Sequence, residues 1–147
     1  MAVVGDILLQ PESGWRRYES PHANFNFSGS WVHNESQPLA SGGYSSYTTR
    51  YISGSGVSFK FYGTQLRIIS ALRASHSNNV TITVDGVSST VSTDNATTIR
   101  AILLFEKLNL SLSVHEVTIT NNTGQYFVLD AIDIDDTGRL LHPFLNE

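Results

Sequence analysis

The sequence predicts an all-β fold, a two-sheet jelly-roll β-sandwich built around one core. Apolar and polar residues alternate with a period of two along most of the chain, as strands with one buried face require. The pair Asp85-Gly86 separates two such runs and is the strongest short hairpin signal in the sequence. Helical periodicity is weak, apart from an ambiguous stretch at residues 99–112. A chain of 147 residues is long enough to build one such domain.

Each predicted strand follows from its own pattern of side chains. Phe25 and Phe27 begin the series, because each is flanked by Asn or Ser. The later runs of this kind are residues 57–62, 66–72, 80–84, 87–91 and 117–119. The final run, residues 126–134, is apolar on both faces, which is typical of a central strand. Polar loops separate the runs, so about ten short strands are expected.

The chain is expected to form one domain with a short segment at either end. Residues 1–13 are interpreted as a lead-in, residues 14–137 as the sandwich, and residues 138–147 as a tail or connector. No internal repeat and no low-complexity linker interrupts the sequence, and dividing it would leave each half without a core.

Composition argues against several classes of function. Only 15% of the residues are charged and the net charge is −4, so the chain lacks the basic field that nucleic-acid binding requires. It contains no cysteine, which excludes disulfides and thiolate chemistry. Residues 1–6 do not resemble a signal peptide, and no segment is long and apolar enough to predict membrane insertion.

Several local motifs occur in one order along the chain. They are Phe27-Ser28-Gly29-Ser30-Trp31, Ser41-Gly42-Gly43-Tyr44, Val57-Ser58-Phe59-Lys60-Phe61-Tyr62-Gly63-Thr64, Val84-Asp85-Gly86, His115-Glu116-Val117-Thr118-Ile119 and Leu129-Asp130-Ala131-Ile132-Asp133-Ile134. This series resembles galactose-binding-like carbohydrate-binding modules. With residues 5–15 leading in, it is similar to modules in tail and baseplate proteins of phages that infect Gram-positive bacteria. The resemblance covers roughly residues 14–136.

The resemblance implies a non-catalytic module that works in a virion tail or outside the cell. Its partners would be a bacterial surface polysaccharide, such as teichoic acid or another cell-wall polymer, and neighbouring domains of a larger tail or cell-wall protein. Families of this fold bind varied ligands, so the fold alone does not establish the function.

Catalytic motifs are incomplete in this sequence. His115-Glu116 begins like a zinc-protease helix, but Ile119 stands where the second histidine is needed. Gly54-Ser55-Gly56 lacks the spacing of a nucleophile elbow. His115 shares a strand face with apolar residues, so we expect a core histidine bonded to a neighbour such as Asp130.

An acidic cluster near the end of the chain raises the question of a metal. It comprises Asp130, Asp133, Asp135 and Asp136. Strand alternation places Asp133 and Asp135 on one face and Asp130 on the other, so these carboxylates should not converge. The segment from Asp133 imitates the start of a calcium loop, but Phe144 occupies the position of the bidentate glutamate. We therefore predict no cofactor and no metal site, with a structural calcium as the alternative.

The leading candidate binding site lies in polar loops at one end of the predicted sandwich. Loops joining antiparallel strands alternate between the two ends, which brings together Arg73, His76, Asn78, Asn121, Asn122, Gln125 and Tyr126. Arginine, histidine and amide groups can bond sugar hydroxyls or an acidic substituent, and Tyr126 offers a stacking face. Resembling modules often use an aromatic and an asparagine at this place. The alternative is that these residues only make turns and that Tyr126 caps the core.

A rival site lies in the long loop at the opposite end, residues 32–46. Its aromatic candidates are Trp31, His33, Tyr44 and Tyr47. Trp31 continues the alternation of Phe25 and Phe27, which favours burial over ligand contact. Tyr44 and Tyr47 are better candidates because Gly42-Gly43 permits their loop to bend.

Three hypotheses of function result. The first is a non-catalytic carbohydrate-binding module that recognises bacterial cell-surface glycan, within a phage tail or receptor-binding protein or a secreted cell-wall protein. The second is a structural or protein-docking module of a phage tail without a sugar site, which an exposed apolar patch would favour. The third is an esterase or glycosidase, against which stands the lack of a coherent nucleophile, base and acid.

Overall fold

The protein is all-β, as the alternating sequence predicts. A computed structural model describes residues 1–36 and 44–143, without the side chains of residues 34–36 and 44. The strands in this part of the chain are β1 (Trp15–Glu19), β2 (Asn26–Ser28), β3 (Trp31–Ser36), β4 (Tyr44–Thr48), β5 (Gly56–Gly63), β6 (Leu66–Leu72), β7 (Val80–Val84), β8 (Val87–Val91), β9 (Ile99–Lys107), β10 (Ser113–Asn121), β11 (Val128–Leu129), β12 (Ala131–Asp135) and β13 (Arg139–Leu140).

The strands form two large antiparallel sheets and one small one. The four-stranded sheet has the order β1-β12-β6-β9, and the six-stranded sheet has the order β13-β5-β10-β7-β8, with β2 also paired to β5. The three-stranded sheet β11-β4-β3 lies alongside. The main core joins residues of both large sheets, for example Ile68 and Ile132 of one with Phe61 and Ile119 of the other. This arrangement confirms the predicted β-sandwich.

The hairpin between β7 and β8 forms where the sequence predicts it. Val84 pairs with Val87, and the two turn residues Asp85 and Gly86 have φ angles of 50° and 83°. Both angles lie in the left-handed region, as a two-residue hairpin turn of this sequence requires. β8 is mostly exposed and carries Ser and Thr, as expected of an outer strand.

The lead-in segment covers the outer face of the four-stranded sheet. Ala2 and Leu8 pack with Ile69 and Leu103 in a second apolar cluster. The fully buried Arg67 guanidinium binds the carboxylates of Glu12 at 2.6 Å and Glu106 at 2.7 Å. β6 is therefore buried on both faces, and Ala2, Leu8 and Glu12 of the lead-in contribute to its cover.

The sandwich also continues beyond the predicted boundary at residue 137. Leu140 pairs with Phe61 of β5, and both Leu140 and Leu141 are buried. Burial of these leucines explains why part of the segment interpreted as a tail joins the sheet. Residues 144–147 of that segment lie outside the described part of the chain.

The ambiguous stretch at residues 99–112 is a strand over its first nine residues. β9 pairs with β6, but the pairing register shifts between Ile68 and Ile69 and again between Ser70 and Leu72. Each bulge changes the phase of the side-chain alternation, which obscures the period of two in the sequence. Among the described residues, no helix is long and apolar enough to span a membrane.

Candidate binding cavity

One open cavity of about 540 Å³ lies where β4, β6, β9 and the segment before β11 meet. This volume is in the usual range for small-ligand sites. Its walls are formed by Ser45, Tyr47, Arg50, Ala71, Leu72, Arg73, Ala74, Ser75, His76, Thr98, Arg100, Gln125, Tyr126 and Val128.

Aromatic rings form one side of the cavity. Tyr47 of β4 pairs with Val128 of β11, which places it beside Tyr126 just upstream of that strand. The two tyrosine rings lie 6.0 Å apart at 78°, and the His76 ring lies 5.9 Å from Tyr126 on its other side. Tyr126 thus contacts Tyr47 edge to face, a geometry that aromatic pairs prefer, and contacts His76 at a tilt of 56°.

Asn121 fixes the loop that carries Gln125 and Tyr126. Its fully buried side-chain amide donates to the Gln125 carbonyl at 2.6 Å and to Thr48 Oγ1 at 3.0 Å. Its Oδ1 accepts from the Thr123 backbone NH at 3.1 Å. Because both ends of the amide are bonded inside the fold, Asn121 shapes the loop and does not line the cavity.

The loop after β6 supplies Arg73 and His76. The Arg73 backbone NH donates to the Thr93 carbonyl at 3.1 Å, and the Ser75 NH donates to Asp94 Oδ1 at 3.0 Å. Ser75 has a φ of 63°, an uncommon conformation that the Asp94 bond supports. These bonds turn the loop tightly, so both side chains come to the same wall of the cavity.

Arg100 reaches the cavity through one of the bulges in β9. Leu72 pairs with Ile99 and Ser70 with Ile102, so Arg100 and Ala101 together stand opposite one residue of β6. Ala101 has a φ of 54°, in the left-handed region. A bulge of this kind redirects a side chain, and here it accompanies a cavity-lining arginine.

The cavity is basic. Arg50, Arg73 and Arg100 line it, and none of its described lining residues is acidic. Burial, followed by the positive charges of Arg73 and Arg100, lowers the pKa of His76 below its usual 6.5, against the opposing effect of Asp94. His76 is 8% exposed, and its Nδ1 has no hydrogen-bond partner among the described residues. The ring is therefore mainly neutral at pH 7.

Four residues of the leading candidate set line this cavity, namely Arg73, His76, Gln125 and Tyr126. Asn78, Asn121 and Asn122 do not. Asn78 is exposed, and the Asn122 amide donates to Asn79 Oδ1 at 3.0 Å and to Thr81 Oγ1 at 2.7 Å. These three asparagines stand in or near the supporting loops.

The rival set is divided by the structure. Tyr47 lines the same cavity as Tyr126, so the expected separation of the two sets to opposite ends is wrong for this residue. The predicted loop at 32–46 starts and ends in β3 and β4, and pairing of β4 with β11 carries Tyr47 to the cavity. The side chain of Tyr44 lies outside the described part of the structure.

Trp31 and His33 serve a separate aromatic cluster. The Trp31 indole NH donates to the carbonyl of Ser28 at 2.9 Å and that of Gly56 at 3.0 Å, and its ring packs against Phe27. The His33 ring lies 4.4 Å from Phe27. Trp31 thus packs against the core, as its alternation with Phe25 and Phe27 favours. His33, predicted as a candidate binding residue, lies in the same aromatic cluster.

Two arginines of the cavity, Arg50 and Arg100, were not among the residues predicted from the sequence. Arg50 follows β4 by two residues, and Arg100 lies within a stretch whose alternation the bulge obscures. The available signal was their charge, since the chain has few basic residues and these two stand in otherwise uncharged segments.

Two of the four carboxylates considered for calcium, Asp133 and Asp135, have protein partners. Asp133 pairs with the Arg17 guanidinium at 2.6 Å and 2.8 Å. Asp135 accepts hydrogen bonds from the backbone NH of Thr64 at 2.9 Å and from that of Gln65 at 3.0 Å. Burial alone would raise the pKa of Asp135, but these bonds and the one from the Thr64 hydroxyl outweigh it and lower the pKa. Within the described residues, no group of three or more His, Asp or Glu side chains is placed to hold a metal ion.

His115 bonds to Asp85, and the expectation of Asp130 as its partner is wrong. Its Nδ1 lies 2.5 Å from Asp85 Oδ2, because β10 pairs with β7 and the turn after β7 reaches His115. Its Nε2 lies 2.7 Å from the carbonyl oxygen of Ser111 and 3.5 Å from Ser113 Oγ.

This arrangement resembles a Ser-His-Asp triad, but the hydrogen bonds of His115 do not allow it to act as a general base toward Ser113. A carbonyl oxygen only accepts hydrogen bonds, so the Nε2 atom of His115 must carry a proton to bond Ser111. It then cannot remove a proton from Ser113, which general-base activation requires. Burial alone would lower the pKa of His115, but the bonds to Asp85 and Ser111 outweigh it and raise the pKa above 6.5. His115 instead fastens the turn after β7 to β10 through its bond to Asp85.

No family model and no curated protein matches the sequence. Several solved structures share its fold. A family two carbohydrate esterase from Cellvibrio japonicus matches with a TM-score of 0.61 at 13% identity, covering 89% of this chain and 36% of that one. An exo-β-1,3-galactanase from Phanerochaete chrysosporium, with bound β-1,3-galactotriose, matches at 0.59 and 22% identity, covering 83% and 29%.

A third similar structure is the catalytic domain of a GH87 α-1,3-glucanase in complex with nigerose. It matches with a TM-score of 0.53 at 16% identity, covering 91% of this chain and 29% of that one. The chain thus spans about a third of the length of these carbohydrate-active proteins, whose identities to it are low. The likeness shows a shared β-sandwich fold.

Proposed function

We propose that this chain is a non-catalytic carbohydrate-binding module that recognises glycan on a bacterial surface. The observation that carries the proposal is the joint presence of Tyr47 and Tyr126 with Gln125, His76 and arginine side chains around one open cavity. Sugar rings bind through apolar C–H faces and polar hydroxyl edges, and this cavity offers partners for both.

Each part of the cavity has a separate role in this mechanism. The tyrosine rings provide apolar area with little loss of side-chain freedom, since a tyrosine has only two rotatable side-chain angles. Gln125 and the arginines donate to ring hydroxyls. The cavity is open to solvent, so a chain of sugars could extend from it, and affinity for one sugar unit would be weak. Several copies in one assembly would multiply that affinity.

The biological setting belongs to the proposal as well. The ordered motifs resemble modules of phage tail and baseplate proteins, so we infer a place in a phage tail or receptor-binding protein, or in a secreted cell-wall protein. The fold is shared with parts of a carbohydrate esterase and of a galactanase, which supports a sugar-related role. Neighbouring domains would provide the attachment.

The test is a binding assay on a glycan array and on purified cell walls, with the protein displayed in several copies. Tyr126→Ala and Tyr47→Ala should each lower binding about tenfold, because stacking contributes on the order of 1 kcal/mol or more. Tyr62→Ala is the matched control, since Tyr62 lies on β5 away from the cavity. Equal loss with Tyr62→Ala would reject the cavity as the site. Hydrolysis screens on the same material should release no product.

One observation favours the docking module as a second candidate. The first nine residues include five exposed apolar side chains, namely Met1, Val3, Val4, Ile7 and Leu9. Exposed apolar groups close together often mark contact surfaces. If the multimerised protein binds no glycan or cell wall, a docking role within a tail becomes the better explanation.

A further inference from the structure

The three arginines of the cavity come from separate parts of the chain. Arg50 follows β4, Arg73 follows β6 and Arg100 lies in β9, yet all three line the same space. The chain has nine basic residues in all and a net charge of −4. A third of its positive charge is therefore gathered at one cavity of an otherwise acidic protein.

These arginines differ from the arginines that stabilise the fold. Arg17 is paired with Asp133, and Arg67 is paired with Glu12 and Glu106. By contrast, Arg50, Arg73 and Arg100 form no ion pair within the described part of the chain. Arg50 lies over the ring of Tyr51, with its Cζ atom 4.9 Å from the ring centre. Carboxylates thus neutralise the buried Arg17 and Arg67, whereas none of the described carboxylates lies within ion-pair distance of the three cavity arginines.

Like charges around one concave surface repel one another, at a cost that solvent reduces for the exposed Arg50 and Arg73. A bound anion would remove that cost and gain charge-assisted hydrogen bonds. Guanidinium groups are suited to this role because their planar donors match the paired oxygens of a carboxylate, phosphate or sulfate.

His76 is a second, independent observation that points to a ligand at this cavity. It is more than nine-tenths buried, lines the cavity, and has a ring nitrogen without a described partner. Buried polar atoms are nearly always bonded, and exceptions call for an explanation such as an absent ligand or water. The backbone of Ala101, held at a positive φ beside Arg100, is a second locally unfavourable feature at the same place.

We infer that the cavity selects glycans bearing anionic substituents, with Arg50, Arg73 and Arg100 binding the acidic group and Tyr47 and Tyr126 contacting the sugar ring. This inference rests on the proposed carbohydrate-binding function and specifies its ligand class. The acidic group is a carboxylate, a phosphodiester or a sulfate, three groups that share the recognition chemistry of a guanidinium.

The experiment compares matched polymers by calorimetry or affinity electrophoresis. Polygalacturonate, glycerol-phosphate teichoic acid and a sulfated galactan represent the three anions, fully methyl-esterified pectin and unsulfated galactan are neutral partners, and polyglutamate is a non-sugar polyanion. At least one anionic glycan should bind about tenfold or more tightly than its neutral partner. The polymer that binds best identifies the acidic group.

Variants locate the effect in the cavity. Arg73→Gln and Arg100→Gln should each weaken binding of the anionic glycan about tenfold and bring it nearer the neutral level. Arg16→Gln is the matched control, because Arg16 is exposed on β1, does not line the cavity, and loses the same charge. A fall of the same size with Arg16→Gln would show general attraction and overturn the inference.

The outcomes separate this inference from the proposed function. Equal binding of neutral and anionic glycans would overturn the anionic preference and keep the sugar site. Binding of polyglutamate as tightly as of every anionic glycan would overturn it too, since no sugar would be recognised. Failure to bind any glycan would overturn both.

Discussion

Asn121 offers a direct test of how the binding loop is held in place. Its amide is completely buried and bonds Thr48 Oγ1, the Gln125 carbonyl and the Thr123 backbone NH. Asn121→Ala removes these bonds and leaves the Gln125 carbonyl without its partner. A buried polar group left unpaired costs roughly 1–3 kcal/mol, and each further lost bond about 1 kcal/mol. We expect a loss of about 3 kcal/mol in the free energy of unfolding.

Asn122 is the matched control because it is the same residue type one position away. It is exposed, and water can replace its bonds to Asn79 and Thr81. Asn122→Ala should therefore cost less than about 1 kcal/mol. In a domain of this size, the Asn121 variant should melt about 10 °C lower and the Asn122 variant no more than about 3 °C lower.

The assay is thermal and urea unfolding followed by circular dichroism. Asn121→Asp keeps the size of the side chain but turns a donor into an acceptor facing the Gln125 carbonyl, so it should be at least as destabilising as Asn121→Ala. Glycan binding measured well below the melting temperature should also fall for both Asn121 variants, since the loop carries Tyr126. Equal stability of the Asn121→Ala and Asn122→Ala proteins would refute the reasoning.

Two further predictions concern stability alone. The raised pKa of His115 means that its bond to Asp85 stabilises the fold fully below pH about 6.5 and loses this effect as the pH rises through the folded-state pKa. The difference in unfolding free energy between wild type and Asp85→Asn should therefore shrink between pH 5.5 and pH 9; a constant difference would contradict it. In urea unfolding, Gly29→Ala should destabilise the protein more than Gly54→Ala does. Both glycines have a positive φ, but only at Gly29 would the added Cβ clash, at 2.5 Å from Ser55 Oγ. Similar midpoints would exclude the steric explanation.

Much of the fold was predictable because its strands keep a regular alternation. β7 reads apolar-polar through its length and is buried in the same pattern, and the turn at Asp85-Gly86 then fixes the pairing with β8. The final predicted strand, residues 126–134, is divided in the structure between β11 of the small sheet and β12 of the four-stranded sheet. β12 has its own reason for apolar residues. It lies between β1 and β6, so it needs apolar residues on both faces, and the buried Asp133 is tolerated there because Arg17 stands opposite it on β1.

The binding cavity was only partly predictable because it depends on contacts between distant segments. The loops that carry Arg73 and Tyr126 are recognisable from their polar residues, and the structure brings them together. Tyr47 lies beside them because β4 pairs with β11 over two residues, and no local sequence pattern predicts this pairing. Arg100 lies in a bulge of β9, where the alternation of side chains between the two faces is interrupted. The sequence pattern therefore does not show which way Arg100 faces. Arg50, Arg73 and Arg100 line one cavity without an ion pair among the described residues, whereas the buried Arg17 and Arg67 are paired. This contrast connects the cavity with a ligand, and it can be recognised only once the ion pairs are known.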